Sequence, residues 1–258
     1  SLDALLSVVD AVSIVVPTTS HHAVASAALR AGKHVFIEKP FTVTLDEADD
    51  LISRAAAAGV VLQVGHVERF NRAVRAAMPY VDGPRFIESD RLAPFNPRGS
   101  DVAVVLDLMI HDLDLVHTLV GTRVADVQAM GIPVLTPQLD IANARLKFAN
   151  GCIANITASR ISPEKMRKIR VFQSDSYLSL DYQEQSGWIY RKDGMQIVRE
   201  AVEVEKDEPL KLELASFVEC ARQGRRPVVT GQEGAEAVRI ALEITDQIEQ
   251  NAKLGSAA

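Results

Sequence analysis

The order of apolar and polar positions changes rhythm near Gly65-His66. Ahead of that point, residues 12–16 (Val-Ser-Ile-Val-Val) form a β-branched run ended by Pro17-Thr18-Thr19-Ser20. Such near-continuous hydrophobicity predicts a strand buried on both faces of a parallel sheet. Residues 22–30 are Ala-rich and predict a helix that Gly32 stops. Residues 34–37 (His-Val-Phe-Ile) predict a second strand, ended by Glu38-Lys39-Pro40. Thr44 and Glu47 have capping-box spacing and open a helix running to Ala58 and Gly59. Residues 60–64 predict a third strand. Strands alternating with helices across short loops predict parallel pairing through crossovers.

Beyond Gly65 the pattern predicts a short helix at 70–78, a strand at 84–91, a loop at 94–99 and an apolar helix at 104–119. A series of alternating segments follows, at 124–131, 141–148, 153–159, 168–173 and 176–180, with shorter strands over 182–204. Asn150-Gly151 is a hairpin signal. Helices are predicted at 210–223 and 234–253, and a disordered tail at 255–258. The fold class expected is α/β plus α+β: a partial Rossmann-type parallel sheet over 1–65, then a domain over 66–258 with a largely antiparallel open sheet.

Composition narrows the function. Of 258 residues, 47% are hydrophobic and 24% charged, which suits a globular protein. The net charge of -6 offers no general attraction to nucleic acid or to an anionic membrane, and no apolar run reaches a membrane span. Cys152 and Cys220 lie far apart with no metal-ligand spacing, which predicts reduced thiols, a cytoplasmic location and no metal site. The chain starts without Met, inside what reads as an amphipathic helix, so a fragment is expected.

Four segments, in this order and spacing, resemble the Gfo/Idh/MocA oxidoreductases. They are residues 12–22 (Val-Ser-Ile-Val-Val-Pro-Thr-Thr-Ser-His-His), 31–40 (ending Glu-Lys-Pro), 64–71 (Val-Gly-His-Val-Glu-Arg-Phe-Asn) and 107–112 (Asp-Leu-Met-Ile-His-Asp). The resemblance implies an NAD- or NADP-dependent dehydrogenase of CH–OH groups. The family opens with a strand and a Gly-rich turn that cradles the cofactor pyrophosphate, and no segment here matches them. The expectation is that the first βαβ unit, at least roughly 30 residues, is missing, and that the polypeptide as written binds NAD(P) poorly.

Lys39 follows a parallel strand, at the edge where open α/β sheets bind ligands. Its amine suits stabilisation of a developing alkoxide, set against the bland reading of a solvated turn lysine. Asp107 and His111 stand four apart in an apolar helix, so they share one face. His111 suits a general base with Asp107 orienting it, against a satisfied interior pair with no chemistry. Asp114 is a weaker candidate for the same pocket, and His117 reads as surface. The resemblance implies that Lys39 and His111 converge on one sugar ring. It also implies cofactor contacts from Pro17, Thr18, His21, His22, Glu38 and Lys39, although Thr19 and Ser20 suit a helix cap. His66, Arg69 and Asn71 follow the third strand as substrate contacts, with Arg69 equally suited to a structural ion pair.

Residues 65–71, 140–146, 158–162 and 167–172 resemble a nucleotide-sugar-oxidising subgroup, the UDP-N-acetylglucosamine 3-dehydrogenases, which make a 3-keto sugar for later amination and so imply a place in lipopolysaccharide biosynthesis. Arg160, Lys165, Arg167, Lys168 and Arg170 form a basic cluster suited to a diphosphate, or else a solvated strand face. The alternatives are a dehydrogenase of a free sugar or polyol such as inositol, and a non-catalytic binding or assembly fragment. An open sheet face predicts a homodimer or homotetramer.

Overall fold

The computed structural model describes residues 1–97 and 102–255; positions 98 and 99 of the expected loop and residues 256–258 of the expected tail lie outside the described residues. The contacts divide the chain into two compact units, Ser1–Phe70 with Glu208–Arg239, and Asn71–Asp207 with the residues from 240 on.

In the first unit, α1 (Leu2–Leu6), β1 (Ala11–Ile14), α2 (His21–Arg30), β2 (His34–Glu38), α3 (Leu45–Ala58) and β3 (Leu62–Gly65) follow in order. The strands pair in parallel as β1-β2-β3, with Val12 opposite Val35 and Ile37 opposite Val64. Burial on both faces is found in β2, where Val35, Phe36 and Ile37 are each 1% exposed or less. It is not found in β1, which ends at Ile14 and leaves Val15 and Val16 exposed. β1 and β3 are the edges of this sheet and β2 its centre, but β3 is buried along its length, with Val229 and Thr230 paired against it. The capping box of α3 forms in both directions, Glu47 N–H donating to Thr44 Oγ1 and Thr44 N–H to Glu47 Oε2 at 3.3 Å each.

Residues 208–239, which the sequence pattern groups with the second domain, pack in the first unit. The cause is an apolar face on α6 (Pro209–Gln223): Phe217 and Cys220 are buried with Phe36 and Val61, the two phenyl rings 5.8 Å apart. The start of α7 (Gly231–Gly255) lies against β3. A Cβ at Gly234 would stand 2.6 Å from Val64 Cγ2, so this approach requires glycine.

The second unit holds α4 (Arg72–Ala77), β4 (Phe86–Leu92), a π-helical turn (Val105–Met109), α5 (Ile110–Val120), β5 (Val124–Ile132), β6 (Ile141–Phe148), β7 (Ile153–Ser159), β8 (Met166–Phe172), β9 (Ser176–Asp181), β10 (Ser186–Asp193) and β11 (Gln196–Ala201). Its sheet runs β11-β10-β9-β8-β4-β7-β6-β5. Every pairing is antiparallel except β4 with β7, because β4 inserts between the consecutive strands β7 and β8. Asn150-Gly151 turns β6 into β7, with Gly151 at φ 85°. One face of the sheet is covered by α5 over β4 and β7. The other leaves Asn143, Arg145 and Lys147 of β6 exposed. The α/β plus α+β class expected from the pattern is the class observed.

Candidate active site

The site residues of the first unit gather at the carboxyl ends of its parallel strands, the ligand-binding edge of such sheets. Pro17 is exposed and Thr18 half-buried after β1; Glu38 and Lys39 are half-buried at the end of β2, ahead of a cis Lys39–Pro40 peptide. Burial raises the Glu38 carboxyl above its ordinary value, against the lowering influence of the Lys39 N–H, which donates to Glu38 Oε2 at 3.2 Å. Room for that carboxylate comes from Gly65 on the neighbouring strand, where a Cβ would lie 3.0 Å from Glu38 Oε2.

Other predicted members of this edge have internal partners. His21 is 1% exposed, and its ring nitrogens face main-chain carbonyls among the described residues: Nδ1 lies 3.0 Å from Pro40 O and 3.2 Å from Phe41 O, and Nε2 lies 2.9 Å from Val16 O. His22, one residue on, turns to α3 and shares Asp50 Oδ2 with Arg54, at 2.7 and 2.6 Å. These two bonds hold the Asp50 carboxyl below its ordinary value, Arg54 contributing more. His66 is buried at 1% exposure. Arg69 forms an ion pair with Glu233 of α7 at 3.5 Å. Glu233 also closes a capping box with Thr230, a Thr-x-x-Glu signal that the sequence carried and that went unused.

In the second unit, Asp107 sits in the π turn and is half-buried; His111 follows in the first turn of α5, also half-buried. Ile110 N–H donates to Val105 O, five residues back, which marks the widened turn. The expectation of one regular helix is therefore corrected: a wide turn holding Asp107 precedes the regular α-helix, which begins just ahead of His111. Wide turns of this kind concentrate at functional sites.

Arg160 is 4% exposed. Its guanidinium donates to Val102 O and lies 4.0 Å from both Asp107 Oδ2 and Asp140 Oδ1. Asp140 in turn accepts from the backbone N–H groups of Val134, Leu135 and Thr136 at 2.6–2.8 Å and from the Thr136 hydroxyl. Burial works to raise that carboxyl, but these bonds overcome it and hold it at about 2. The basic cluster expected around Arg160 is not a single surface. Arg170 and Lys168 are exposed on β8 and paired with Glu88 and Asp181, whereas Arg160 is interior. Asn71 is likewise internal, because it caps α4: its oxygen accepts from Ala73 N–H at 3.1 Å and its amide donates to Tyr182 O at 2.7 Å.

A network unforeseen in the sequence pins α5. Asp112, fully buried beside His111 in sequence, accepts from Arg91 Nε at 2.6 Å, from Ser89 at 2.9 Å and from the Tyr182 hydroxyl. Burial, reinforced by the Asp112 charge, pushes the Tyr182 phenol well above its ordinary value, so it remains a donor. Asp114 is also buried, at 2% exposure. Both cysteines are buried thiols, and burial pushes Cys152 up to about 11.

The residues at the parallel-sheet edge fit a dinucleotide. A hydroxyl (Thr18), a carboxylate given room by Gly65 (Glu38) and an amine (Lys39) follow adjacent strands at the edge where such ligands lie. No Gly-x-Gly occurs in the 258 residues, so the pyrophosphate turn has no counterpart in this sequence.

A family model described as an oxidoreductase family with an NAD-binding Rossmann fold, Gfo/Idh/MocA, matches residues 1–66, and a model of the Gfo/Idh/MocA C-terminal domain matches residues 72–179. A UDP-N-acetylglucosamine 3-dehydrogenase of Acidithiobacillus ferrooxidans is 41% identical over 256 residues, 96% of this chain and 82% of that protein. A scyllo-inositol 2-dehydrogenase (NAD(+)) of Bacillus subtilis is 26% identical, covering 92% of this chain and 75% of that protein. A solved structure of the Acidithiobacillus enzyme superposes with a TM-score of 0.93 at 40% identity, covering 97% of this chain and 82% of that one. An oxidoreductase domain protein from Kribbella flavida, at 20% identity and a TM-score of 0.88, shares the fold.

Proposed function

The chain belongs to the Gfo/Idh/MocA family of NAD(P)-dependent oxidoreductases, and from that premise we propose that it oxidises the C3 hydroxyl of a UDP-N-acetylated sugar to a ketone. The observation that carries the substrate is the 41% identity to a UDP-N-acetylglucosamine 3-dehydrogenase along 96% of this chain, against 26% to an inositol dehydrogenase.

NAD(P), when bound, would supply the hydride acceptor for the carbinol carbon. Pro17, Thr18 and Glu38 contact the cofactor in this reading. His111 takes the hydroxyl proton, and Asp107 orients it or binds a neighbouring hydroxyl. The Lys39 amine donates to the same oxygen and stabilises the negative charge that builds there. Proton and hydride leave from opposite ends of one C–O–H unit, so the substrate loses two electrons and two hydrogens. His66 and Arg69 contact the substrate in this reading, and the Arg69–Glu233 ion pair supports an orienting role for Glu233. The first 65 residues serve the cofactor, and the open sheet serves substrate and self-association as a homodimer or homotetramer. The enzyme works in the cytoplasm, in the supply of lipopolysaccharide precursors.

Reduced nicotinamide formation tests this. In the full-length protein UDP-N-acetylglucosamine should be turned over, and Lys39→Ala and His111→Ala should each lower kcat by about 10²- to 10⁴-fold. Faster turnover of myo-inositol than of the nucleotide sugar would transfer the proposal to the polyol reading; unaltered rates in both variants would end it.

A further inference from the structure

His21 is surrounded by acceptors. Val16 O stands on one side of its ring, and Pro40 O and Phe41 O stand on the other, all within 2.9–3.2 Å. A neutral imidazole has one N–H and one bare lone pair, so one of its nitrogens would meet a carbonyl oxygen lone pair to lone pair. A doubly protonated ring donates on both sides, and bonds from a charged donor are the stronger kind. The ring is 1% exposed, and water does not reach it to relieve a mismatch. Its two sets of acceptors lie on different loops: Val16 ends the segment after β1, and Pro40 and Phe41 follow Lys39 directly.

We propose that His21 is a positioning residue, a doubly protonated clamp that donates to both loops and so fixes the backbone from which Lys39 reaches the substrate oxygen. This replaces the cofactor contact expected from sequence. It rests on the reading that Lys39 stabilises the alkoxide. Asn at this position keeps a donor near the place of Nδ1, facing Pro40 and Phe41. Gln keeps one near the place of Nε2, facing Val16.

The test has two arms. In the first, side-chain ¹⁵N resonances of His21 are recorded in the unsubstituted protein, which no folding defect can confound. Two protonated nitrogens are expected; one nitrogen with the signature of a bare lone pair would overturn the clamp. In the second, kcat and KM for NAD(P) are measured for His21→Asn and His21→Gln in the full-length protein. The expected result is a fall in kcat of about 10- to 100-fold for Gln, a smaller fall for Asn, and a KM for NAD(P) within about 2-fold of the unsubstituted enzyme. A raised KM at unchanged kcat would restore the cofactor role and overturn the proposal, as would unchanged constants in both variants. Lys39→Ala, assayed alongside, separates the failures. If it remains active, the reading of Lys39 fails; if it is inactive while both His21 variants are normal, the clamp alone fails.

Discussion

The loop that carries Lys39 is held by main-chain carbonyls around a single imidazole, with a half-buried acid folded over a glycine. The segment that carries Asp107 and His111, the π turn and the start of α5, is held by charged side chains in the interior: Arg91 on Asp112, and Arg160 set between Asp107 and Asp140. The first arrangement spends few buried charges and depends on where the backbone lies. The second places several ionised groups out of water, where each is tolerable only while its partner remains. The two halves should therefore answer differently to neutralisation of a carboxylate.

The largest effect is expected at Asp112. Asp112→Asn removes the carboxylate charge paired with the 3%-exposed Arg91 side chain, and removal of one member of a buried pair costs about 3–5 kcal/mol. Chemical denaturation should register that loss. Glu38→Gln should be as stable as the unsubstituted protein or more so, because burial already disfavours the Glu38 carboxylate. Equal destabilisation by the two substitutions would erase the contrast between the halves.

A smaller effect concerns acid. The Asp140 carboxyl is held at about 2 in the folded chain against an ordinary 3.8. A lowered folded value means that its contribution is complete above about pH 4 and fades as pH falls toward 2. Asp140→Asn should flatten the stability profile over that interval and leave its shape above pH 5 unaltered. An unchanged acid limb in the variant would remove Asp140 from the support of the π turn.

How far the chain could be read beforehand follows the same division. The strand-end half was legible because its cues are local: β-branched runs, the Thr44–Glu47 box, and Glu-Lys-Pro at the end of a strand. The helical half was legible in outline and hidden in detail. The π turn is Val-Leu-Asp-Leu-Met, a largely apolar run that suits a regular helix equally well. The Arg91–Asp112 pair spans 21 positions and the Arg160–Asp140 pair joins the end of β7 to the residue before β6, so neither leaves a local trace. One clue did exist: along β4, Ile87, Ser89 and Arg91 alternate on the buried face, and an arginine there requires an acid. His21 shows the converse, since its position after the strand suggested a ligand contact and only coordinates reveal three carbonyls around it.

The most direct measurement is a double-mutant cycle on kcat/KM for UDP-N-acetylglucosamine oxidation with Lys39→Ala, His111→Ala and the pair. Groups that act on one oxygen in one transition state are strongly non-additive, so the double variant should be scarcely slower than the worse single variant. Losses that multiply in full would mean that the amine and the imidazole serve separate events, and would contradict this account of the reaction.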